Sequence, residues 1–113
     1  MKKDENKCPV AEALKFIGGK WTLQIIYEIG NEKRRFGELK RLIPDISEKM
    51  LIQELKKMAE SNIVHRKAYP EIPPRVEYSL TERGVKVLPI LNQIERFGIE
   101  LLSSAQTTPS SLK

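Results

Sequence analysis

A chain of 113 residues with 40% apolar side chains has room for one domain with a modest core, and it is too apolar to be a disordered tail. No run approaches the roughly 20 apolar residues that span a bilayer, and no apolar segment follows the charged start at 1–7, so neither a membrane protein nor a secretory leader is expected. A net charge of +5 favours a polyanionic partner, and a single cysteine cannot staple a monomer, so the expectation is a cytoplasmic, nucleoid-associated protein.

Cys8 and Pro9 open the first helix, with proline at the first helical position, where its missing N–H costs nothing. Val10, Ala13, Leu14 and Ile17 recur at helical spacing until Gly18-Gly19 ends the pattern. Residues 21–29 are ambiguous. Trp21, Leu23, Ile25, Tyr27 and Ile29 alternate as a strand would, with only Ile26 out of phase. Their helical neighbours favour instead a central helix, apolar on nearly all sides. Arg34-Arg35-Phe36 reads as a very short strand, and Leu39, Leu42 and Ile43 give one apolar face to a two-turn helix that stops before Pro44.

Ser47 is a good N-cap for the next helix, with Ile46 and Leu51 placed as a hydrophobic staple, and Asn62 suits a left-handed C-terminal cap. Residues 63–69 and 75–80 read as antiparallel strands around the tip Pro70-Glu71-Ile72-Pro73-Pro74. Thr81 caps a final long helix running to about Ser104, kinked where Pro89 removes a backbone bond to Val85. The segments 1–7 and 105–113 are expected to be flexible termini. Helix, tight turn, helix, hairpin is the layout of a winged helix-turn-helix, mainly α with a small β hairpin, here over residues 8–104.

Within the helix at 47–61, Leu51, Leu55 and Met58 form the buried stripe, which puts Lys49, Gln53 and Lys56 on the opposite side with Ile52 and Lys57 flanking them. A polar face opposite an apolar one is ordinary for any surface helix. Here it carries lysine and glutamine, while Glu48, Glu54 and Glu60 are expected nearer the core edge. Lysine and glutamine read guanine and adenine edges, isoleucine suits a thymine methyl, and Ser47 at the helix start is placed for a phosphate oxygen. From Lys33 to Arg75 eleven Lys/Arg stand against six Asp/Glu, so the basic excess sits in this half. Arg75, beside the stiff proline tip, is a candidate for the minor groove; from local sequence alone the tip reads equally well as a rigid connector.

No catalytic set, phosphate loop or metal-ligand spacing is present, so no enzyme activity, cofactor or metal is expected, and His65 reads as an exposed strand residue. Val85, Leu88, Leu91, Ile94, Phe97 and Leu101 make an apolar face longer than one small domain covers. A homodimer through this helix, with the first helix contributing, is the simplest cover, and two recognition helices then call for an inverted-repeat operator in double-stranded DNA.

The segments CPVAEALKFIGGKW at 8–21, RRFGELKRLIP at 34–44, ISEKMLIQEL at 46–55 and YPEIPPRVEYSLTERG at 69–84 resemble the HxlR family of bacterial and archaeal winged-helix regulators, relatives of the MarR group. The resemblance runs from about Cys8 to Phe97. It implies a homodimeric transcription regulator with the helix at 47–61 in the major groove and Arg75 in the wing, and it assigns 21–29 to helix. Against the family pattern, Gly37 stands for the usual Ser/Thr helix cap, Ile52 for a commonly polar groove residue and Asn62 for the usual glycine. Some members sense oxidants or electrophiles through a cysteine at the position of Cys8, which implies such an effector here. Unpaired N–H groups at a helix start favour a negative sulfur there; the plainer reading of Cys8 is a small apolar cap. The competing functional class is a winged-helix module that binds protein, which would call for an aromatic or aliphatic anchor patch on the exposed face.

Overall fold

The computed structural model describes residues 8–107; the remaining flanks, 1–7 and 108–113, for which flexibility was expected, lie outside the described residues. Helix α1 spans Pro9–Ile17, with Cys8 as its N-cap and the Gly18 N–H closing the last turn on the Leu14 carbonyl at 2.8 Å. Helix α2 spans Thr22–Ile29. Its Ile25, Ile26 and Ile29 are fully buried. A strand would have turned Ile26 away from the other two, whereas a helix gathers all three on one face. The remaining surface is less apolar in its setting than the sequence implies, because Gln24 and Tyr27 are exposed. Gly30 ends α2 at φ 55°, a left-handed conformation that favours glycine.

Strand β1 is confined to Arg34–Arg35, and α3 spans Phe36–Leu42. Phe36 is therefore helical rather than extended. The N-cap of α3 is Arg35, whose backbone N–H donates to the Glu38 carboxylate at 2.8 Å. Gly37 is thus the second residue of the helix and not its cap, which corrects the position inferred from the family pattern. Leu39 and Ile43 are buried as expected, but Leu42 is exposed.

After the turn at Pro44 and Asp45, helix α4 spans Glu48–Glu60. The Ser47 hydroxyl accepts the Met50 N–H at 3.1 Å, and Ile46 and Leu51 are both buried, completing the cap and staple. At the far end Asn62 takes φ 62°. Its N–H donates to the Ala59 carbonyl at 3.1 Å and that of Ile63 to the Met58 carbonyl at 2.8 Å, the paired bonds of a Schellman end.

Strands β2 (Val64–Tyr69) and β3 (Arg75–Leu80) form the hairpin. The sheet is antiparallel in the order β1-β3-β2, with Arg34 opposite Tyr78 and His65 opposite Ser79, so β2 is a free edge. Buried Thr81 ties this unit to the end of α4: its hydroxyl donates to the Asn62 carbonyl at 2.6 Å and accepts the Gly84 N–H at 3.0 Å.

The expected single, kinked terminal helix is two helices. Helix α5 covers Glu82–Val85, and α6 covers Leu88–Thr107, three residues beyond the expected end. The break falls at Lys86 and Val87, so Pro89 sits in the first turn of α6, where no N–H is needed, instead of inside a continuous helix. The core joins Ile17, the isoleucines of α2, Leu39, Ile43, Ile46, Leu51, Leu55, Met58 and Ile63 to Val87 and Leu91. It fixes α4 by its inner stripe and leaves the outer one to solvent.

Candidate nucleic-acid interface

The exposed side of α4 is built by its own periodicity. Leu51, Leu55 and Met58 are buried, so Lys49, Ile52, Gln53, Lys56 and Lys57 all face solvent, as expected. Ile52 is an isolated apolar residue there, half exposed, with no aromatic neighbour on that face. One expectation needs correction. Of the three acids expected nearer the core edge only Glu54 is partly buried; Glu48 and Glu60 are exposed, and Glu60 follows Lys49, Gln53 and Lys56 at the helical spacing of four, three and four, so the row ends in an acid at its C-terminal end. The first three turns carry only lysine and glutamine on that row. Ser47 is exposed at the other end; its oxygen caps the helix, and its hydroxyl hydrogen is left for an acceptor such as a phosphate oxygen.

The wing departs further from expectation. Arg75 is not a free cation at the tip. Its Nη2 donates to the Glu71 carboxylate and its Nη1 to that of Glu77, each at 2.8 Å, and its side chain is only 25% exposed. The guanidinium stacks over the Tyr69 ring at 3.8 Å. The Glu71 hydrogen bond leads the interactions that hold its pKa above the ordinary arginine value, against the desolvation that lowers it. The exposed cations of the wing lie instead on the edge strand, Arg66 and Lys67, beside exposed His65; the Lys67 ammonium lies 5.0 Å from the centre of the Tyr69 ring. Lys33, His65 and Lys67 line one polar depression with Ser79. The signal was legible as a basic run on a strand, and lysine or arginine on an edge also discourages unwanted strand pairing.

The apolar face of the C-terminal helix also divides differently. Leu91 is 8% exposed and belongs to the core, and Leu88 packs against it. Leu91, one of the six residues assigned to a dimer surface, is therefore not available to a partner, and Leu88 is only partly exposed. The uncovered row is Ile90, Ile94, Phe97 and Leu101, with Val85 exposed on α5 and Val10 and Leu14 exposed on α1. Cys8 is exposed at the start of α1, with a free thiol that makes no capping bond. No cluster of three or more metal-ligating side chains occurs among the described residues, and none of their helices is long and apolar enough to cross a membrane.

The model of the HxlR-like helix-turn-helix family matches residues 16–106. The chain belongs to the HxlR family. Among curated relatives, a regulatory protein described as MalR from Fusobacterium mortiferum is 45% identical over 100 residues, which cover 88% of this chain and 94% of that protein. Among solved structures, a protein described as a MarR-family transcriptional regulator from Porphyromonas gingivalis W83 superposes with a TM-score of 0.81 at 55% identity, covering 84% of this chain and 93% of the other. The redox regulator HypR in its oxidised form gives 0.78 at 42% identity, covering 82% and 96%.

Membership makes this chain a DNA-binding transcription regulator of the winged-helix class, and it accounts for the order of α3, α4 and hairpin described above. In the winged-helix fold, β2–β3 is the wing.

Proposed function

We propose that this HxlR protein acts as a homodimer that binds an inverted-repeat operator, with α4 in the major groove and the wing beside it. The observation that carries this reading is the solvent-facing row Lys49, Gln53 and Lys56 on a helix capped by an exposed serine. Gln53 is suited to an adenine edge and Lys49 to a guanine; Ile52 offers a methyl contact to thymine; Lys56 and Lys57 neutralise phosphates, and Ser47 donates to one. His65, Arg66 and Lys67 follow the flanking backbone, with Arg75 holding the hairpin that carries them. A protein-docking role for the same face is disfavoured, because one exposed isoleucine among lysines is a poor anchor.

The row Ile90, Ile94, Phe97 and Leu101, together with Val10 and Leu14, supports pairing through α6 and α1. Two α4 helices related by the dimer axis meet successive major grooves about 34–36 Å apart. Selection of bound duplexes from a random pool tests this. The expected outcome is a two-fold repeat with half-sites about 10–10.5 base pairs apart, centre to centre; recovery of unrelated sequences would contradict it.

Cys8 gives the regulator a redox or electrophile input in this reading. It is exposed, it begins a helix of the pairing surface, and the similar protein HypR is a redox regulator with oxidised and reduced structures. As the sole cysteine, Cys8 responds by bonding to the thiol of a second subunit, to a small thiol or to an electrophile.

A further inference from the structure

The tip of the wing carries an apolar side chain that none of the contacts above uses. Ile72 is 100% exposed, more than any other large apolar residue among the described residues. The next most exposed, Leu102, Val10 and Phe97, lie on α6 and α1. Single exposed apolar residues are ordinary on protein surfaces, so exposure alone assigns Ile72 nothing. Its setting is what distinguishes it.

The loop around Ile72 is stiff. Pro70, Pro73 and Pro74 flank it, all exposed, and their fixed φ angles leave the tip little freedom to lose on docking. The Glu71 N–H donates to the Tyr69 carbonyl at 2.8 Å, and the Glu71 carboxylate accepts from Arg75 Nη2, also at 2.8 Å. That ion pair has an electrostatic consequence as well. An unpaired Glu71 would repel DNA phosphates, whereas beside Arg75 its charge is locally cancelled. The tip therefore presents a rigid, locally neutral, apolar point. Arginine enters a minor groove by charge. An apolar point suits a second mode, in which an isoleucine or proline wedges between base steps, unstacks them and kinks the duplex.

The reach of the hairpin fits this mode. β2 leaves the end of α4, and its six residues carry the tip about 20 Å along the strand. A minor groove lies half a helical turn, about 17 Å, from the neighbouring major groove. A protein partner is the competing occupant of the tip, but one isoleucine among prolines offers too little apolar area for an anchor pocket.

We propose that Ile72 is an apolar wedge that enters the minor groove flanking each half-site and opens one base step there. Operator affinity then depends on the deformability of a step that no hydrogen bond reads. The proposal rests on the DNA-binding reading above and deepens it at the wing. A pyrimidine–purine step such as TA unstacks most readily, so it should be preferred about five base pairs outside each half-site centre. The full reduced chain is titrated by fluorescence anisotropy against copies of the selected operator whose flanking step is TA or the stiffer AA. The wild-type protein should favour the TA copy by about fivefold or more. It should also bend that copy, read as energy transfer between the duplex ends, and brighten 2-aminopurine placed at the step. Ile72→Ser should bind the TA copy about tenfold more weakly and lose the flanking preference and the bend. Its salt slope and its base preference within the half-site should stay as in wild type, and Ile72→Leu should recover the flanking preference. Because Ile72 has no core contact to lose, urea unfolding of both variants should match wild type. An Ile72→Ser protein that binds, bends and discriminates the flanking step as wild type does would overturn the wedge and leave the reading of α4 intact. Weaker binding with the flanking preference retained would overturn it too. A wild-type protein that binds every duplex alike at physiological salt would overturn the DNA-binding reading and the wedge with it.

Discussion

The guanidinium of Arg75 lies 3.8 Å from the centre of the Tyr69 ring, and the sheet register sets these two residues opposite each other at the loop end of the hairpin. The stack closes the last cross-strand pair before the tip, and the two carboxylates that flank it consume the charge a phosphate would otherwise meet. The residue that reads in the sequence as a candidate DNA ligand also braces the wing.

Arg75→Ala should therefore weaken operator binding by loosening the hairpin while leaving the salt dependence of binding close to wild type. Lys67→Ala should instead lower the salt slope by about one, because it removes an exposed cation that no carboxylate among the described residues pairs with. Arg75→Lys should not restore the wing, since an ammonium reproduces neither the stack nor the fork to Glu71 and Glu77. Affinity measured across a salt series separates the two classes of variant. A slope that falls in Arg75→Ala as it does in Lys67→Ala would restore Arg75 to the DNA contacts.

Thr81 and Gly84 should matter for stability far more than their size suggests. Thr81→Val keeps the shape but strands the Asn62 carbonyl and the Gly84 N–H, at a cost of about 1–3 kcal/mol. A Cβ at Gly84 would run into the Ile63 carbonyl, so Gly84→Ala should cost about 1–3 kcal/mol through overpacking. Urea unfolding of each variant checks both values, and a neutral Gly84→Ala would mean that α5 can move away from the hairpin.

On α6, two apolar positions six residues apart should behave oppositely. Phe97→Asp lies on the uncovered row at 60% exposure, so it should yield a folded monomer. Leu91→Asp puts a charge in the core and should unfold the chain. Sedimentation and circular dichroism on the pair distinguish these outcomes. A Phe97→Asp protein that stays dimeric at micromolar concentration would place the interface elsewhere.

Much of this division was legible in the sequence, and the reasons differ by element. Caps were legible because they depend on few residues: Ser47, Thr81 and Asn62 each take the role their chemistry suggests. The inner and outer faces of α4 followed from strict periodicity. The local pattern of residues 21–29 fits a strand as well as a buried helix; the helix was legible only from its neighbours and the family resemblance, and the packing of Ile25, Ile26 and Ile29 into one core bears it out. The α5–α6 break was hidden because a proline within an apolar helical pattern predicts a kink as readily as a new helix start. The apolar stripe read through it joined core-facing Leu91 to the dimer surface. The pairing of Arg75 was not legible because its partners come from the loop and from its own strand, and its stack on Tyr69 depends on hairpin register, which local composition does not reveal.

Cys8→Ser tests the proposed input. Diamide or a quinone should change operator binding of the wild-type protein and leave that of Cys8→Ser as it was, while the two bind equally when reduced. Identical responses in both proteins would make the thiol a structural cap of α1.

The central claim is that the outer row of α4 reads base sequence, and fluorescence anisotropy with the selected operator tests it most directly. Gln53→Ala should cost about 1–3 kcal/mol on the native operator and lose discrimination at a single base-pair position, whereas Lys56→Ala should weaken binding to all duplexes alike and lower the salt slope by about one. A wild-type protein that binds every duplex with equal affinity at physiological salt, or a Gln53→Ala variant with unaltered base preference, would contradict the account.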